Sequence, residues 1–244
     1  EVKIYKSKRS RRKQNAPRKM KYAVSFELDL RRNPYKGLYI VIEGIDGCGK
    51  STQVENLKIW FEEKGKEVVV TSEPRKEGSI VGNLIRDALA SKIELTPLCF
   101  QSLYSGERVL NHESVVIPAL KKGKIVLSHR SFWSAVAYGV FDKGETKYTK
   151  ENSNIIMAVH GILSKYYEFM APDFTFYLSV STNTAINRII KMGKKREIYE
   201  DREKLSRIIA GYKWLLKKFP KEIIMVSGEQ PARRVTEEII RLLK

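Results

Sequence analysis

A glycine-rich loop with a lysine and two hydroxyl side chains is the part of the sequence best suited to chemistry. Residues 44–52 read GIDGCGKST, and Gly44, Gly49, Lys50 and Ser51 have the Gly-x-x-x-x-Gly-Lys-Ser spacing of a P-loop. In this motif, backbone N–H groups at a helix start cradle phosphate oxygens, the lysine neutralises the β- and γ-phosphates, and the hydroxyl ligates Mg²⁺. The spacing therefore predicts a nucleoside triphosphate site with Mg²⁺, in which Ser51 is the metal ligand.

The segments on either side of the loop have the character that the motif requires. An apolar strand is predicted at Leu38–Ile42, and an amphipathic helix is predicted over 50–64, with Lys50 at its exposed start. A glycine-rich turn that binds nothing is the alternative, and this flanking strand and helix argue against it. The residues predicted to bind ATP are Gly44, Gly47, Cys48, Gly49, Lys50, Ser51, Thr52 and Gln230.

Short apolar segments alternate with amphipathic ones along the rest of the chain. This alternation predicts an α/β fold with a mostly parallel five-stranded sheet that has helices on both faces. The predicted strands are Leu38–Ile42, Val68–Thr71, Ile125–Ser128, Phe174–Leu178 and Ile223–Val226. The predicted helices are 50–64, 79–91, 97–122, 132–140, 153–170, 182–191, 201–218 and 231–243. An extra N-terminal strand is predicted at Tyr22–Leu30, where large apolar residues alternate with smaller or charged ones.

Four arginines follow strand ends or lie on the helices between them. Arg75 and Arg130 come just after the second and third predicted strands, and Arg86 and Arg108 are on neighbouring helices. Ligands of open parallel sheets bind beyond the carboxyl ends of the strands, and a guanidinium grips phosphate through two hydrogen bonds. A second phosphate-binding cluster facing the P-loop indicates transfer of a phosphoryl group between two phosphorylated molecules. A nucleoside monophosphate kinase has this outline, and it needs no general base because the acceptor phosphate is itself the nucleophile.

Charge is distributed unevenly along the 244 residues. The formal net charge is +18, and residues 1–20 contain nine Lys or Arg and one Glu, which gives 9 − 1 = +8. This basic arm is expected to be flexible and either to contact nucleic acid or to be a solvated tail. It has no following apolar segment of the kind that a secretory signal carries. No apolar run is long enough to span a membrane, and two cysteines without metal-ligand spacing fit a cytoplasmic location.

Several motifs, in order, resemble those of the thymidylate kinase family over residues 37–244. The matching segments are EGIDGCGKST, SEPR, YSGER, HRSFWSAVAYG, PDFTFYLSV, EIYED and GEQP. The resemblance implies a P-loop kinase domain that transfers phosphate from ATP to dTMP with Mg²⁺ and serves dTTP biosynthesis. It also implies a homodimer. The expected organisation is a basic arm at 1–20, a strand and turn at 21–36, and the kinase domain at 37–244 with a lid at about 191–199.

The resemblance also assigns residues to the acceptor nucleotide. Asp46 would accept a hydrogen bond from the deoxyribose 3′-hydroxyl, and Arg75, Arg86 and Arg130 would bind the acceptor phosphate. Lys50, Arg130 and Arg196 would be the catalytic residues.

Further positions would surround the two bases. Arg108 would face the pyrimidine edge, and Tyr104 would either stack on the base or belong to the core. Ser134 would contact the base and Tyr138 would crowd C2′, which would disfavour ribose. Gln230, with Pro231 beside it, would line the adenine pocket.

Three positions depart from the family pattern. His129 stands where an aspartate that organises the magnesium site is usual, so that Glu43 or Glu73 would have to serve the metal, or turnover would be weaker. Ile198 stands at a usual lid arginine, and Gly47 stands where some members have an arginine. A nearby lid cation is therefore expected to replace them. Arg196 is preferred over Lys194 and Lys195.

Two other functions stay open from the sequence. The acceptor could be another pyrimidine monophosphate, because Tyr104 replaces the usual Phe and Ala135 has no polar side chain. The chain could also be a weakly catalytic nucleotide-binding module that its basic arm tethers to nucleic acid. A GTPase-type switch lacks support, because no Asn-Lys-x-Asp motif is present.

Overall fold

Five short strands form one parallel sheet at the centre of the molecule. The computed structural model describes residues 3–4, 22–23, 30–75, 77–141, 170–193 and 201–244. The strands of this sheet are β3 (Leu38–Glu43), β4 (Val68–Ser72), β5 (Ile125–His129), β6 (Phe174–Ser179) and β7 (Ile224–Ser227). Their order is β4-β5-β3-β6-β7, and every neighbouring pair is parallel. The predicted five-stranded parallel sheet is confirmed.

Helices connect these strands and cover both faces of the sheet. They are α1 (Lys50–Glu62), α2 (Ile80–Leu89), α3 (Pro97–Asn111), α4 (Ile117–Lys121), α5 (Phe132–Phe141), α6 (Thr182–Lys191), α7 (Arg202–Lys218) and α8 (Ala232–Leu242). One turn of π-helix, His112–Val116, joins α3 to α4, so the helix predicted over 97–122 has an irregular centre. Most of the helix predicted over 153–170 lies outside the described residues.

The central strand β3 is buried on both faces, as its unbroken apolar sequence predicts. Ile40 and Ile42 belong to the larger core cluster, which includes residues of α1, α5, α7 and α8. Tyr39 and Val41 point the other way, into a smaller cluster with residues from the π-helical turn and α4. This alternation fixes the carboxyl end of β3, and with it the loop that follows, between two packed layers.

The strands that follow β3 in sequence are added first on one side of it and then on the other. The strands β4 and β5 lie on one side, and β6 and β7 lie on the opposite side. In open parallel sheets, a change of direction of this kind leaves a crevice at the carboxyl ends of the strands. The crevice is therefore expected directly above β3, where residues 44–49 leave the sheet.

The N-terminal part is described only in short pieces. The strands β1 (Lys3–Ile4) and β2 (Tyr22–Ala23) pair in antiparallel orientation. The predicted strand at Tyr22–Leu30 is therefore described only at its two ends, and most of the 1–20 arm lies outside the described residues. Among the described helices, none is long and apolar enough to cross a membrane.

Candidate active site

The loop between β3 and α1 has the backbone that its glycines predict. Gly44, Gly47 and Gly49 have φ values of 138°, 79° and 102°, which side chains of L residues rarely allow. Gly49 is also the N-cap of α1, so the first N–H groups of this helix face the loop. At Gly47 an added Cβ would lie 2.4 Å from the carbonyl oxygen of Ala185. The loop therefore packs directly against the backbone of α6.

Lys50 is buried, contrary to the expectation of an exposed helix start. Lys50 is only 4% exposed, because its side chain folds back over the loop that precedes it. Nζ donates hydrogen bonds to the carbonyl oxygens of Gly44 at 2.9 Å and Ile45 at 2.7 Å. It also lies 3.5 Å from Oδ1 of Asp46. The ammonium group is thus held at the mouth of the glycine loop.

Arg130 joins the glycine loop to the opposite wall of the crevice. Its Nη2 donates to Oδ1 of Asp46 at 2.6 Å, and its Nη1 donates to the carbonyl oxygen of Gly44 at 3.1 Å. Nη1 also lies 3.3 Å from Oγ of Ser134, and the guanidinium lies 4.7 Å from the ring centre of Tyr138. These contacts hold the planar group in one orientation.

The charge of Asp46 is set by two cations. Burial acts to raise the pKa of this carboxyl, but the attraction of Arg130 and Lys50 outweighs it and holds the pKa well below its usual range. Asp46 is therefore a carboxylate at neutral pH, with oxygen lone pairs that can accept hydrogen bonds from a bound ligand.

The buried carboxylate of Glu43 holds Ser134, which is one of the contacts of Arg130. Oε1 of Glu43 accepts hydrogen bonds from the backbone N–H and the hydroxyl of Ser131, both at 2.8 Å. Oε2 accepts from the hydroxyls of Ser134 at 2.6 Å and Tyr212 at 2.8 Å. Both carboxylate oxygens are thus occupied by donors from α5, from the residue before it and from α7. Glu43 positions these elements and offers no oxygen to a metal ion.

A second buried ion pair lies on the other wall. Nε of Arg108 donates to Oε2 of Glu73, and both side chains are 2% exposed. Burial raises the pKa of Glu73 to about 7, although Arg108 acts in the opposite direction. Tyr104 lies one turn before Arg108 on α3, and its ring makes an edge contact with Phe100 at 5.1 Å.

The two remaining arginines of the predicted cluster differ in their contacts. Arg86 lines the crevice and donates to the carbonyl oxygen of Arg75 and to the side-chain oxygen of Asn83. The Arg75 side chain instead binds Glu107 at 2.7 Å through Nε and Ser114 at 3.1 Å through Nη1. Arg75 is consequently not part of the crevice lining in the described chain.

The crevice has a volume of about 670 Å³, which is typical of a small-molecule site. The predicted site residues that line it are Asp46, Gly47, Cys48, Gly49, Lys50, Ser51, Thr52, Arg86, Tyr104, Arg108, Arg130, Ser134, Tyr138 and Gln230. Gly44 contributes its carbonyl oxygen to Lys50 and Arg130 from beneath. Arg196 and most of the predicted lid lie outside the described residues. The roles of all these residues toward a nucleotide stay predictions.

Arg188 is a cation of the crevice that sequence reasoning did not single out. Its Nη2 donates to the carbonyl oxygen of Gly228 at 2.9 Å, and its Nη1 lies 3.5 Å from the carbonyl oxygens of Gly47 and Cys48. It therefore links the glycine loop to the segment that follows β7. The sequence feature that could have identified Arg188 is its spacing on the predicted helix. It comes three residues after Ala185 and therefore lies on the same face of the helix as that buried residue.

A divalent cation fits beside Ser51 only with help from phosphate and water oxygens. Oγ of Ser51 lies 3.3 Å from Nε2 of His129, the last residue of β5. Within the described ranges, no group of three or more His, Cys, Asp or Glu side chains is placed to hold a metal ion. Mg²⁺ with a bound nucleotide commonly takes few protein ligands, so a single hydroxyl in this position is compatible with it.

The sheet order, the glycine loop and the cation-lined crevice together define a P-loop protein of the nucleoside monophosphate kinase class. The family model described as "Thymidylate kinase" matches residues 42–239. The chain belongs to the thymidylate kinase family.

Curated relatives match nearly the whole chain. A thymidylate kinase of Exiguobacterium sp. strain AT1b is 34% identical over 212 residues, covering 84% of this chain and 92% of the relative. A thymidylate kinase of Thermoanaerobacter sp. strain X514 is 32% identical over 214 residues, which cover 86% of this chain and 98% of the relative. A probable thymidylate kinase of Pyrococcus horikoshii is 29% identical over 214 residues, which cover 86% of this chain and 97% of the relative.

Proposed function

We propose that this protein transfers the γ-phosphoryl group of ATP to dTMP, giving ADP and dTDP. The observation that carries the proposal is that the glycine loop and three arginines, Arg86, Arg108 and Arg130, line one crevice. Membership of the thymidylate kinase family and relatives that bear that name over most of the chain support dTMP as the acceptor.

The donor nucleotide would lie on the glycine loop. The N–H groups at the start of α1 would bind the β-phosphate oxygens, and Lys50 would exchange its contacts with the carbonyl oxygens of Gly44 and Ile45 for contacts with the phosphates. Mg²⁺ would supply positive charge to the β- and γ-phosphates when bound, and Ser51 would be its ligand from the protein. Gln230 and Pro231, which both line the crevice, would lie beside the adenine.

The acceptor would lie against the opposite wall. Arg130 and Arg86 would hold its phosphate, and Asp46, fixed by Arg130 at 2.6 Å, would accept a hydrogen bond from the 3′-hydroxyl. Arg108 would face the base, with Glu73 fixing its guanidinium. Arg75, whose guanidinium contacts Glu107 and Ser114, stays a predicted further ligand of that phosphate.

The reaction needs positioning and charge neutralisation more than proton transfer. An oxygen of the dTMP phosphate would attack the γ-phosphorus in line, and the bond from that phosphorus to the β-γ bridging oxygen would break as ADP leaves. Lys50 and Arg130 would meet the negative charge that spreads over the transferred group. A lid cation is also expected, and Arg196 stays the predicted one. Among the described residues, Arg188 is a further cation that lines the crevice.

A panel of acceptor nucleotides tests the proposal. ADP release is measured with dTMP, dUMP, dCMP, UMP and CMP at equal concentrations, with a reaction lacking any acceptor as the control for ATP hydrolysis. We expect dTMP to have the highest kcat/KM. A higher kcat/KM for another pyrimidine would assign the second candidate acceptor, and turnover no faster than the control would contradict kinase function altogether.

A further inference from the structure

A histidine lies beside the predicted metal ligand, at a place where the family resemblance implies a carboxylate. His129 ends β5, which pairs directly with the central strand β3 on one side and with β4 on the other. Its Nε2 lies 3.3 Å from Oγ of Ser51 at the start of α1. The two atoms therefore approach from the sheet and from the helix toward one point of the crevice.

The spacing of these two atoms suits ligands of a single cation. Metal–nitrogen and metal–oxygen bonds of about 2.1 Å place neighbouring ligands about 3.0 Å apart in an octahedral site and about 3.4 Å apart in a tetrahedral one. The observed 3.3 Å lies in that interval.

The nearby carboxylates bind other groups through some or all of their oxygens. Asp46 binds Arg130 through Oδ1, both oxygens of Glu43 accept from hydroxyl and backbone donors, and Glu73 binds Arg108 through Oε2. Among the described side chains, His129 is the one whose ring nitrogen lies within hydrogen-bond distance of Ser51. An imidazole nitrogen has little affinity for Mg²⁺, but it binds divalent ions of the first-row transition metals more tightly.

We propose that Nε2 of His129 is a direct ligand of the divalent cation that accompanies the donor nucleotide, and that it shifts the preference of this site from Mg²⁺ toward Mn²⁺ or Co²⁺. The inference rests on the donor site of the proposed function. It concerns which ion that site selects, and so it can fail while the kinase assignment stands.

Pulsed electron paramagnetic resonance of bound Mn²⁺ tests the proposal. The complex is prepared with β,γ-methylene ATP, whose phosphate chain contains no nitrogen, and with protein that carries ¹⁵N-labelled histidine. We expect a ¹⁵N coupling typical of a coordinated imidazole. It is lost in His129→Gln and His129→Asp, and it is kept in His160→Gln, which makes the same substitution at another histidine.

Affinity for the two metal–nucleotide complexes gives an independent measurement. The ratio of the Mg²⁺ to the Mn²⁺ dissociation constant, measured by titration calorimetry, should fall about tenfold in His129→Asp. Melting temperatures check that the variants are folded, and His129→Asp serves as the second variant if His129→Gln is unstable. Nucleotide binding without a histidine coupling would overturn the metal inference alone. Absence of nucleotide binding with either ion would overturn the donor site as well.

Discussion

Arg130 makes contacts that depend on the planar shape of a guanidinium group. Its two terminal nitrogens reach Asp46 and Gly44 on one side of the crevice and Ser134 on the other, while its face covers Tyr138. A lysine carries the same charge but only one nitrogen, so it cannot make these contacts together.

We therefore expect Arg130→Lys to lower kcat/KM for dTMP about a hundredfold, with a loss in kcat as well as a rise in KM. Steady-state kinetics with dTMP varied at saturating ATP measure both constants. The matched control is Arg233→Lys, since Arg233 is a surface residue whose side chain is 91% exposed. Equal, small effects in the two variants would mean that the fork geometry of Arg130 is unimportant.

Single residues of the glycine loop were predictable because the P-loop is a local motif. Its glycines, Lys50 and Ser51 are neighbours in sequence, and their spacing alone indicates the loop backbone. The contact partners of Arg75 and Arg188 were not predictable, because Glu107, Ser114 and Gly228 reach them only through tertiary packing. The burial of Lys50 was missed for a different reason: its side chain folds back over the preceding loop and donates to the carbonyl oxygens of Gly44 and Ile45.

At the scale of elements, Glu43 is the point where three of them meet. It ends β3 and accepts hydrogen bonds from donors at the start of α5 and from Tyr212 on α7. Burial raises the pKa of the Tyr212 hydroxyl, and the neighbouring Glu43 carboxylate adds to this effect, so the phenol stays a donor at any physiological pH. Removing one donor from a buried carboxylate is costly.

We expect Tyr212→Phe to reduce the free energy of unfolding by about 1–3 kcal/mol, because Oε2 of Glu43 loses a charge-assisted hydrogen bond. Denaturant titration measures the difference. Tyr177→Phe is the matched control, because its ring stacks on that of Tyr212 at 4.6 Å but its hydroxyl does not bind Glu43. The interpretation fails if both variants lose the same stability.

The order of helices and strands was largely predictable, since apolar segments of four or five residues alternate with amphipathic ones. The π-helical turn at His112–Val116 was not, because no residue pattern distinguishes it from the helices on either side. The buried sequence of β3 indicated a central strand, but the neighbours of each strand follow from packing and from the direction of the connections.

At the scale of the whole molecule, the Glu73–Arg108 pair links global stability to pH. The pKa of Glu73 is raised by burial from 4.5 to about 7 in the folded state. An acid with a raised pKa binds its proton more tightly in the folded chain than in the unfolded one. Its contribution to stability is therefore full below pH 4.5 and is lost as the pH rises through 7.

Glu73→Gln removes this titration. We expect the free energy of unfolding of the wild type, minus that of Glu73→Gln, to decline by on the order of 2 kcal/mol between pH 4.5 and 8. Unfolding curves at several pH values for both proteins measure the difference, which cancels the contribution of other titrating groups. A difference that rises with pH would indicate that the carboxylate is stabilised by Arg108 more than it is destabilised by burial.

Two properties of the complete chain stay predictions. Residues 1–20 carry +8 of the +18 net charge, so a contact with nucleic acid through this arm is expected to weaken steeply with salt. The homodimer rests on the family resemblance.

The tight approach of Gly47 to Ala185 limits how this enzyme could change. The family resemblance implies that some members have an arginine at this position, but here a Cβ at Gly47 would lie 2.4 Å from the carbonyl oxygen of Ala185 in α6. A single substitution therefore cannot convert one arrangement into the other. A cationic side chain at position 47 would therefore also require α6 to move away from the glycine loop.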